Sequence, residues 1–427
     1  MAITQLLTLI LFTIATASAD SFRPKALVLP ITKDPTSSQY LTHIKQRTPL
    51  VDVPLVIDLG GQFLWVDCEA GYVSSSYTAV RCGSAHCSLS QSKICGDCFD
   101  GPKPGCNNNT CGLTPYNSAK RLSTVGELTQ DILTVQSTNG FTPGRVVNVP
   151  KFLFGCAPTL LLEGLAKSAR GMAGLGRGKI GMPSLLAAAF SFNRKFALCL
   201  APNGVVLFGN GPYNFLPRND DVSKSLMYTP LLLNPVSTAG SYFKGEKSTD
   251  YFIGVKAIKV NEKSIKVNAT LLEISSAGRG GTKISTVRPY TVMETSIYKT
   301  VVAAFKKELS HVPTVSSVSP FGLCYNSNRF SSTRVGPGVP QIDLVLQSSS
   351  VYWRIFGANS MVAVSDKVVC LGLADGGLNP ETSIVIGAHQ IENNLLEFDL
   401  AASRLGFSSS LLFRQTTCSN FNFTSTA

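Results

Sequence analysis

Val56-Ile57-Asp58-Leu59-Gly60-Gly61, followed at once by Phe63-Leu64-Trp65-Val66, is the stretch from which the rest of the chain can be read. A β-branched run enters an acidic residue and two glycines, and a second apolar run leaves them. The pattern is buried strand, acidic turn, buried strand. Well downstream, Lys283-Ile284-Ser285-Thr286-Val287 repeats the strand-into-turn pattern with a hydroxyl where the acid stood. Each turn has a later companion: Gly174 in Met172-Ala173-Gly174-Leu175-Gly176 for the first, and Gly387 in Ile384-Val385-Ile386-Gly387 for the second. An apolar strand ending in glycine lets backbone pass close beneath a turn. Finding the set twice at similar spacing predicts two related lobes.

Short β-branched and aromatic segments bounded by Gly, Pro, Asn and Ser run between these turns, for example residues 146–154, 204–208, 251–260 and 343–346. The texture is all-β. Helical spacing is confined to residues 183–189 and 296–309, the latter ending near a lysine pair. The expected division is a leader over residues 1–19, a first lobe over 20–222 and a second over 223–427. The polar stretch 217–225 is the connection, and Tyr228-Thr229-Pro230-Leu231 starts the second lobe.

The 427 residues are 44% hydrophobic, enough for one large core or two lobes. Residues 6–15 are apolar and Ala17-Ser18-Ala19 offers a small-residue cleavage site. This predicts a secretory leader, too short to span a bilayer, although no Lys or Arg precedes its apolar part. No membrane span is expected elsewhere. The 12 cysteines suit an oxidising compartment and up to six disulfides. Cys68, Cys82, Cys87, Cys95, Cys98, Cys106 and Cys111 crowd together, whereas Cys156, Cys199, Cys324, Cys370 and Cys418 are widely spaced. Cys95-Gly96-Asp97-Cys98 invites a redox or zinc reading, but only 4 histidines and no matching second pair accompany it. Neither metal nor cofactor is therefore expected. Sequons at Asn108, Asn268 and Asn422 fit secretion and predict surface positions for glycans. Lys and Arg exceed Asp and Glu by 38 − 26 = 12. That surplus favours acidic partners, such as a cell-wall polymer or an acidic protein. No basic run with interleaved aromatics points to nucleic acid.

Phe154-Gly155-Cys156, Gly171 through Gly178, and Lys195-Phe196-Ala197-Leu198-Cys199-Leu200 resemble the plant branch of the pepsin-type aspartic protease fold. Asn394-Leu395-Leu396-Glu397-Phe398-Asp399-Leu400 and Arg404-Leu405-Gly406-Phe407 match its closing segment. A narrower similarity, carried by residues 284–291 and the tail 408–424, is to a secreted plant subgroup. It comprises extracellular dermal glycoproteins, xyloglucan-specific endoglucanase inhibitor proteins, nectarin-like proteins and basic 7S globulins, with cereal xylanase inhibitors more distant. The resemblance implies a bilobal, non-proteolytic protein, several of whose relatives inhibit microbial glycoside hydrolases. It also implies that Cys199 joins Cys418 and Cys324 joins Cys370, with the other pairs inside the first lobe.

Residue chemistry bears on the loss of proteolysis. Pepsin-type hydrolysis needs two carboxylates sharing one proton, and a serine hydroxyl cannot hold a carboxylic proton. Here Asp58 is kept and Ser285 replaces its partner; Leu59, Gly61 and Val287 depart from the usual turn residues, and the flap near Tyr116-Asn117-Ser118 lacks a glycine-rich hairpin. Asp58 then reads as a carboxylate capping turn amides and Ser285 as a turn hydroxyl, since a nucleophilic serine would need a histidine base. In the glucanase-inhibitor subgroup, arginines on two second-lobe loops are implied to enter the target's cleft. The matching candidates here are Arg334 and Arg414, with Arg329 and Arg354 nearby. Three functions stay open: a glycoside hydrolase inhibitor, a binding or storage protein of the basic 7S kind, and an active aspartic endopeptidase, in descending order.

Overall fold

The computed structural model describes residues 22–424 apart from 219, 241 and 349. The expected leader, residues 1–19, lies outside the described residues.

The same strand arrangement is built twice. In the first lobe Val51–Asp58 lies parallel to Gly171–Gly174, with Gly174 opposite Asp58. Gly171–Gly174 is antiparallel to Trp65–Asp67, which runs parallel to the end of Pro143–Ala157. In the second lobe Thr282–Ile284 lies parallel to Ile384–Ile386, which is antiparallel to Thr291–Met293, itself parallel to Leu373–Asp375. Ile57, Leu59, Ile284 and Ile386 are buried, as expected of parallel strands covered on both faces. The two glycines have the steric role read from the sequence. A Cβ at Gly174 would overlap the Phe63 carbonyl, and one at Gly387 would overlap the backbone of Tyr290.

Six consecutive antiparallel strands of one larger sheet join the lobes. Their order is Ala26–Lys33, Asn203–Gly209, Lys195–Cys199, Leu395–Asp399, Arg404–Phe407 and Met227–Leu232. At the central pairing Phe196 stacks on Phe398 with ring centroids 4.8 Å apart, and Tyr251 packs on Phe398 at 4.6 Å. Polar contacts reinforce the joint. Lys33 Nζ of the first lobe meets Glu392 Oε1 of the second at 2.7 Å, Tyr40 donates to the same carboxylate, and His389 Nδ1 lies 3.6 Å from its other oxygen. Burial alone would raise the Glu392 pKa, but bonds from His389, Lys33 and Tyr40 hold it at about 2.

The two helices expected from spacing are Met182–Phe190 and Thr295–Glu308. The second buries Ile297, Val301 and Phe305, one stripe at helical period. Glu294 caps it by accepting from Ser296 N at 2.8 Å and Ile297 N at 3.2 Å, and Lys306 and Lys307 complement its C-terminal dipole. One sequence expectation is corrected. Residues 251–260 are not a single strand but two: Tyr251–Ile253 pairs with Thr282–Ile284, and Ala257–Val260 pairs with Ile342–Val345 in a separate sheet. The chain changes sheet at Gly254, where a Cβ would meet the Gln347 side chain at 2.7 Å.

All 12 cysteines are paired: Cys68–Cys156, Cys82–Cys95, Cys87–Cys111, Cys98–Cys106, Cys199–Cys418 and Cys324–Cys370. Cys95 and Cys98 bond to different partners, which removes the redox and zinc reading of that pair. Among the described residues no helix is long and apolar enough to cross a membrane.

Candidate functional site

The two turns meet between the lobes and touch through one side chain. The buried Thr286 hydroxyl accepts from Leu59 N at 3.0 Å and donates to Ile57 O at 2.7 Å. Leu59 has no hydroxyl with which to return that grip, and its side chain goes into the core instead. Thr286 therefore fixes Asp58 and Ser285 as neighbours on the floor of one cleft of about 380 Å³.

Asp58 is buried. Its Oδ1 accepts from Gly60 N at 3.2 Å and its Oδ2 from the Ser118 hydroxyl at 2.7 Å. Burial is the main reason its pKa rises from 3.8 to about 6; the Ser118 bond opposes the rise and the Asp250 carboxylate adds to it. Ser285 Oγ accepts from Val287 N and Arg288 N, both at 3.2 Å, so it closes its own turn. Asp58 and Ser285 thus both cap backbone amides.

The cleft roof is a small hairpin, Tyr116–Asn117 paired with Leu122–Ser123. It forms without the glycines its position suggested, and Arg121 takes the left-handed conformation at φ 57° instead. Asn117 anchors it: Nδ2 donates to Leu161 O at 2.8 Å and Glu163 O at 2.9 Å, while Oδ1 accepts from Ala119 N and Lys120 N. Trp65 Nε1 donates to Tyr116 O at 3.1 Å. The hairpin is tied down over Asp58.

Sequence reasoning missed the polar groups that the second lobe brings to this floor. Asp250 Oδ2 accepts from Lys283 Nζ at 2.7 Å and from the Thr238 hydroxyl, and Thr249 Oγ1 donates to Gly60 O at 2.7 Å. Nothing in the spacing of Asp250 and Lys283 pairs them; adjacent antiparallel strands do. The charges of Arg121 and Arg288 also line the cleft.

The two candidate arginines lie elsewhere, on the second lobe. Arg334 is exposed at the tip of a hairpin between Ser332–Thr333 and Gly336–Pro337. Arg414 ends the short turn Leu411–Arg414 and is engaged: Nη1 meets Asp220 Oδ2 at 2.7 Å, and Nη2 donates to the Ser225 hydroxyl. The two loops are linked. Ala358 N donates to Val335 O at 2.6 Å, and Phe356 packs edge-on against the half-exposed Phe413 at 4.7 Å. Arg329 is exposed, whereas Arg354 is held bidentately by buried Asp343 at 2.7 and 2.8 Å. Asn108 and Asn268 are exposed and Asn422 is half-buried.

Comparison with known proteins agrees with this architecture. Residues 40–210 match the family described as xylanase inhibitor N-terminal, and residues 250–409 match xylanase inhibitor C-terminal. A probable aspartic proteinase of Nicotiana benthamiana (GIP2) is 60% identical over 428 residues, covering 99% of this chain and 98% of its own. The crystal structure of edgp superposes with a TM-score of 0.94 at 59% identity, over 95% of this chain and 100% of that one. Conglutin gamma, a basic 7S globulin from lupine seeds, gives 0.81 at 38% identity, over 94% and 100%. The aspartic proteinase of Irpex lacteus, at 14% identity and a TM-score of 0.58 over 92% and 99%, shares the bilobal fold. Matched in both halves, and by relatives spanning nearly all of its length, the chain belongs to the xylanase inhibitor family of pepsin-like proteins.

Proposed function

We propose that this is a secreted, non-catalytic pepsin-fold protein of plant defence. In this reading it acts at the cell wall by inhibiting a microbial glycoside hydrolase, with a xyloglucan-specific endo-β-1,4-glucanase as its target. The observation that carries the non-catalytic part is the cleft floor: Asp58 has Ser285 as its neighbour across the Thr286 contact, and both cap turn amides. No second carboxylic proton is available there, and Asp250 is ion-paired to Lys283. The pepsin-type dyad is lost.

Inhibition is assigned to Arg334 and Arg414. Endoglucanases of this kind cleave with two carboxylates flanking a sugar-binding cleft. A guanidinium stays charged and can meet a carboxylate bidentately. Arg334 is presented on a short hairpin whose Gly-Pro return strand limits the entropy lost on binding. Arg414 must exchange Asp220 for the target's carboxylate, and Phe413 beside it supplies an aromatic anchor. The leader over residues 1–19, the division of the lobes near residue 222, and glycans on Asn108, Asn268 and Asn422 belong to the same reading. So does a contribution of the +12 charge to holding acidic wall polymers. A second reading, a binding or storage protein, is favoured by the similarity to conglutin gamma.

The purified protein should abolish xyloglucan hydrolysis by a fungal xyloglucanase. Arg334→Ala and Arg414→Ala should each weaken inhibition by on the order of 2–5 kcal/mol, with Asp220→Asn as the control for the lost internal ion pair. Two arginine variants that inhibit like the parent place the inhibitory surface elsewhere. A parent protein without effect on xyloglucanase or xylanase leaves the storage reading.

A further inference from the structure

Arg288 follows the Ser285 turn, is half-buried, and lines the cleft, as does Arg121 from the hairpin above. Neither guanidinium has a hydrogen-bond or ion-pair partner among the described residues, although the other cleft cation, Lys283, is paired to Asp250. Burial lowers the pKa of Arg288, and Arg121 is the charged neighbour that lowers it further; Tyr116 alone acts in the other direction. Two like charges therefore line one cleft from floor and roof, and neither is paired with a carboxylate among the described residues. Such an arrangement is unfavourable when empty and is relieved by an anion.

The cleft's other charges define that anion. Asp58, Asp250, Asp375 and Glu381 also line it. Asp250 is neutralised by Lys283, and Asp375 is held by the Thr295 hydroxyl at 2.6 Å and Gly377 N at 3.0 Å. Asp375 and Glu381, carboxylates left without a paired cation, would repel a polyanion, while Val287 and Val292 offer apolar surface. We propose that the former catalytic cleft is a binding site for a ligand with a single carboxylate on an otherwise uncharged, partly apolar body, the carboxylate clamped between Arg121 and Arg288. Each guanidinium can donate charge-assisted hydrogen bonds of the kind that meet a carboxylate bidentately. This site is separate from the Arg334 and Arg414 loops, neither of which lines the cleft.

Two sources of such a ligand, a small organic acid and a peptide bearing one acidic side chain, share this chemistry. Titration calorimetry at pH 6 would use 3-phenylpropionate, a capped pentapeptide with one glutamate between two phenylalanines, the amide analogue of each, and trigalacturonate. Saturable binding by at least one carboxylate probe is expected, with at least a tenfold loss for its amide. Arg288→Gln and Arg121→Gln should each weaken it at least tenfold while inhibition of xyloglucanase stays unchanged. Arg121 is exposed on the hairpin, so its variant reports on the site even if Arg288→Gln disturbs folding. Which probe binds distinguishes acid from peptide. No binding by either carboxylate, equal binding of the amides, tighter binding of trigalacturonate, or indifference to Arg121→Gln would overturn the proposal.

Discussion

Replacing Asp58 by asparagine should stabilise the protein at neutral pH and do almost nothing in acid. Burial lifts the Asp58 pKa from 3.8 to about 6, so the folded state keeps its proton over a range where the unfolded state has lost it. Well below pH 3.8 the carboxyl is neutral in both states and carries no penalty. As pH rises from 4 to 6 the unfolded chain ionises first and stability falls; above pH 6 the loss is constant. Two pKa units correspond to about 3 kcal/mol. Asparagine resembles the protonated acid in shape, keeps its Oδ1 as acceptor for Gly60 N, offers Nδ2 as a donor to a Ser118 hydroxyl that turns to accept, and cannot ionise. The stability difference between Asp58→Asn and the parent should therefore grow by roughly 2–3 kcal/mol in favour of the variant between pH 4 and pH 7. Guanidinium denaturation at the two pH values, with disulfides intact, measures it. An equal difference at both pH values, or a variant losing stability as pH rises, refutes a buried carboxyl held above its ordinary range.

The Glu392 cluster has the opposite sign. Its pKa is held at about 2 in the folded state against 4.5 outside it, so its stabilisation is complete above pH 4.5 and disappears as pH falls toward 2. Glu392→Gln should cost about 3 kcal/mol at pH 6 and converge on the parent near pH 2, read from denaturation midpoints. Asn117→Ala removes four hydrogen bonds from the cleft hairpin. It should destabilise by about 2–4 kcal/mol and speed amide exchange at residues 116–123, and unchanged exchange there would show that the hairpin is held otherwise. Restoring an acid by Ser285→Asp should yield no peptidase, because Leu59 still offers no hydroxyl to the facing turn and Val287 still fills the site. Pepstatin-sensitive cleavage of denatured haemoglobin by that variant would contradict this.

The fold was legible wherever local pattern and backbone need coincide. Asp58 and Ser285 stand at the ends of apolar runs, and Gly174 and Gly387 mark the only kind of residue that passes beneath such turns, so the doubled lobe could be read directly. The helix over Thr295–Glu308 carried its stripe of Ile297, Val301 and Phe305 openly. What stayed hidden depends on tertiary contacts between distant parts of the chain. Ser118 reaches Asp58 across 60 residues, and Arg414 reaches Asp220 across 194; no spacing rule connects such pairs. The break within 251–260 was invisible because Gly254 interrupts an apolar pattern that otherwise continues across two sheets.

The loss of peptidase chemistry is tested most directly by incubating the wild-type protein with denatured haemoglobin from pH 2.5 to 6, with and without pepstatin. No new peptides at any pH is the expected result. Cleavage that pepstatin suppresses would mean that Asp58 has found a second acid, and the reading of the cleft as a non-catalytic floor would have to be abandoned.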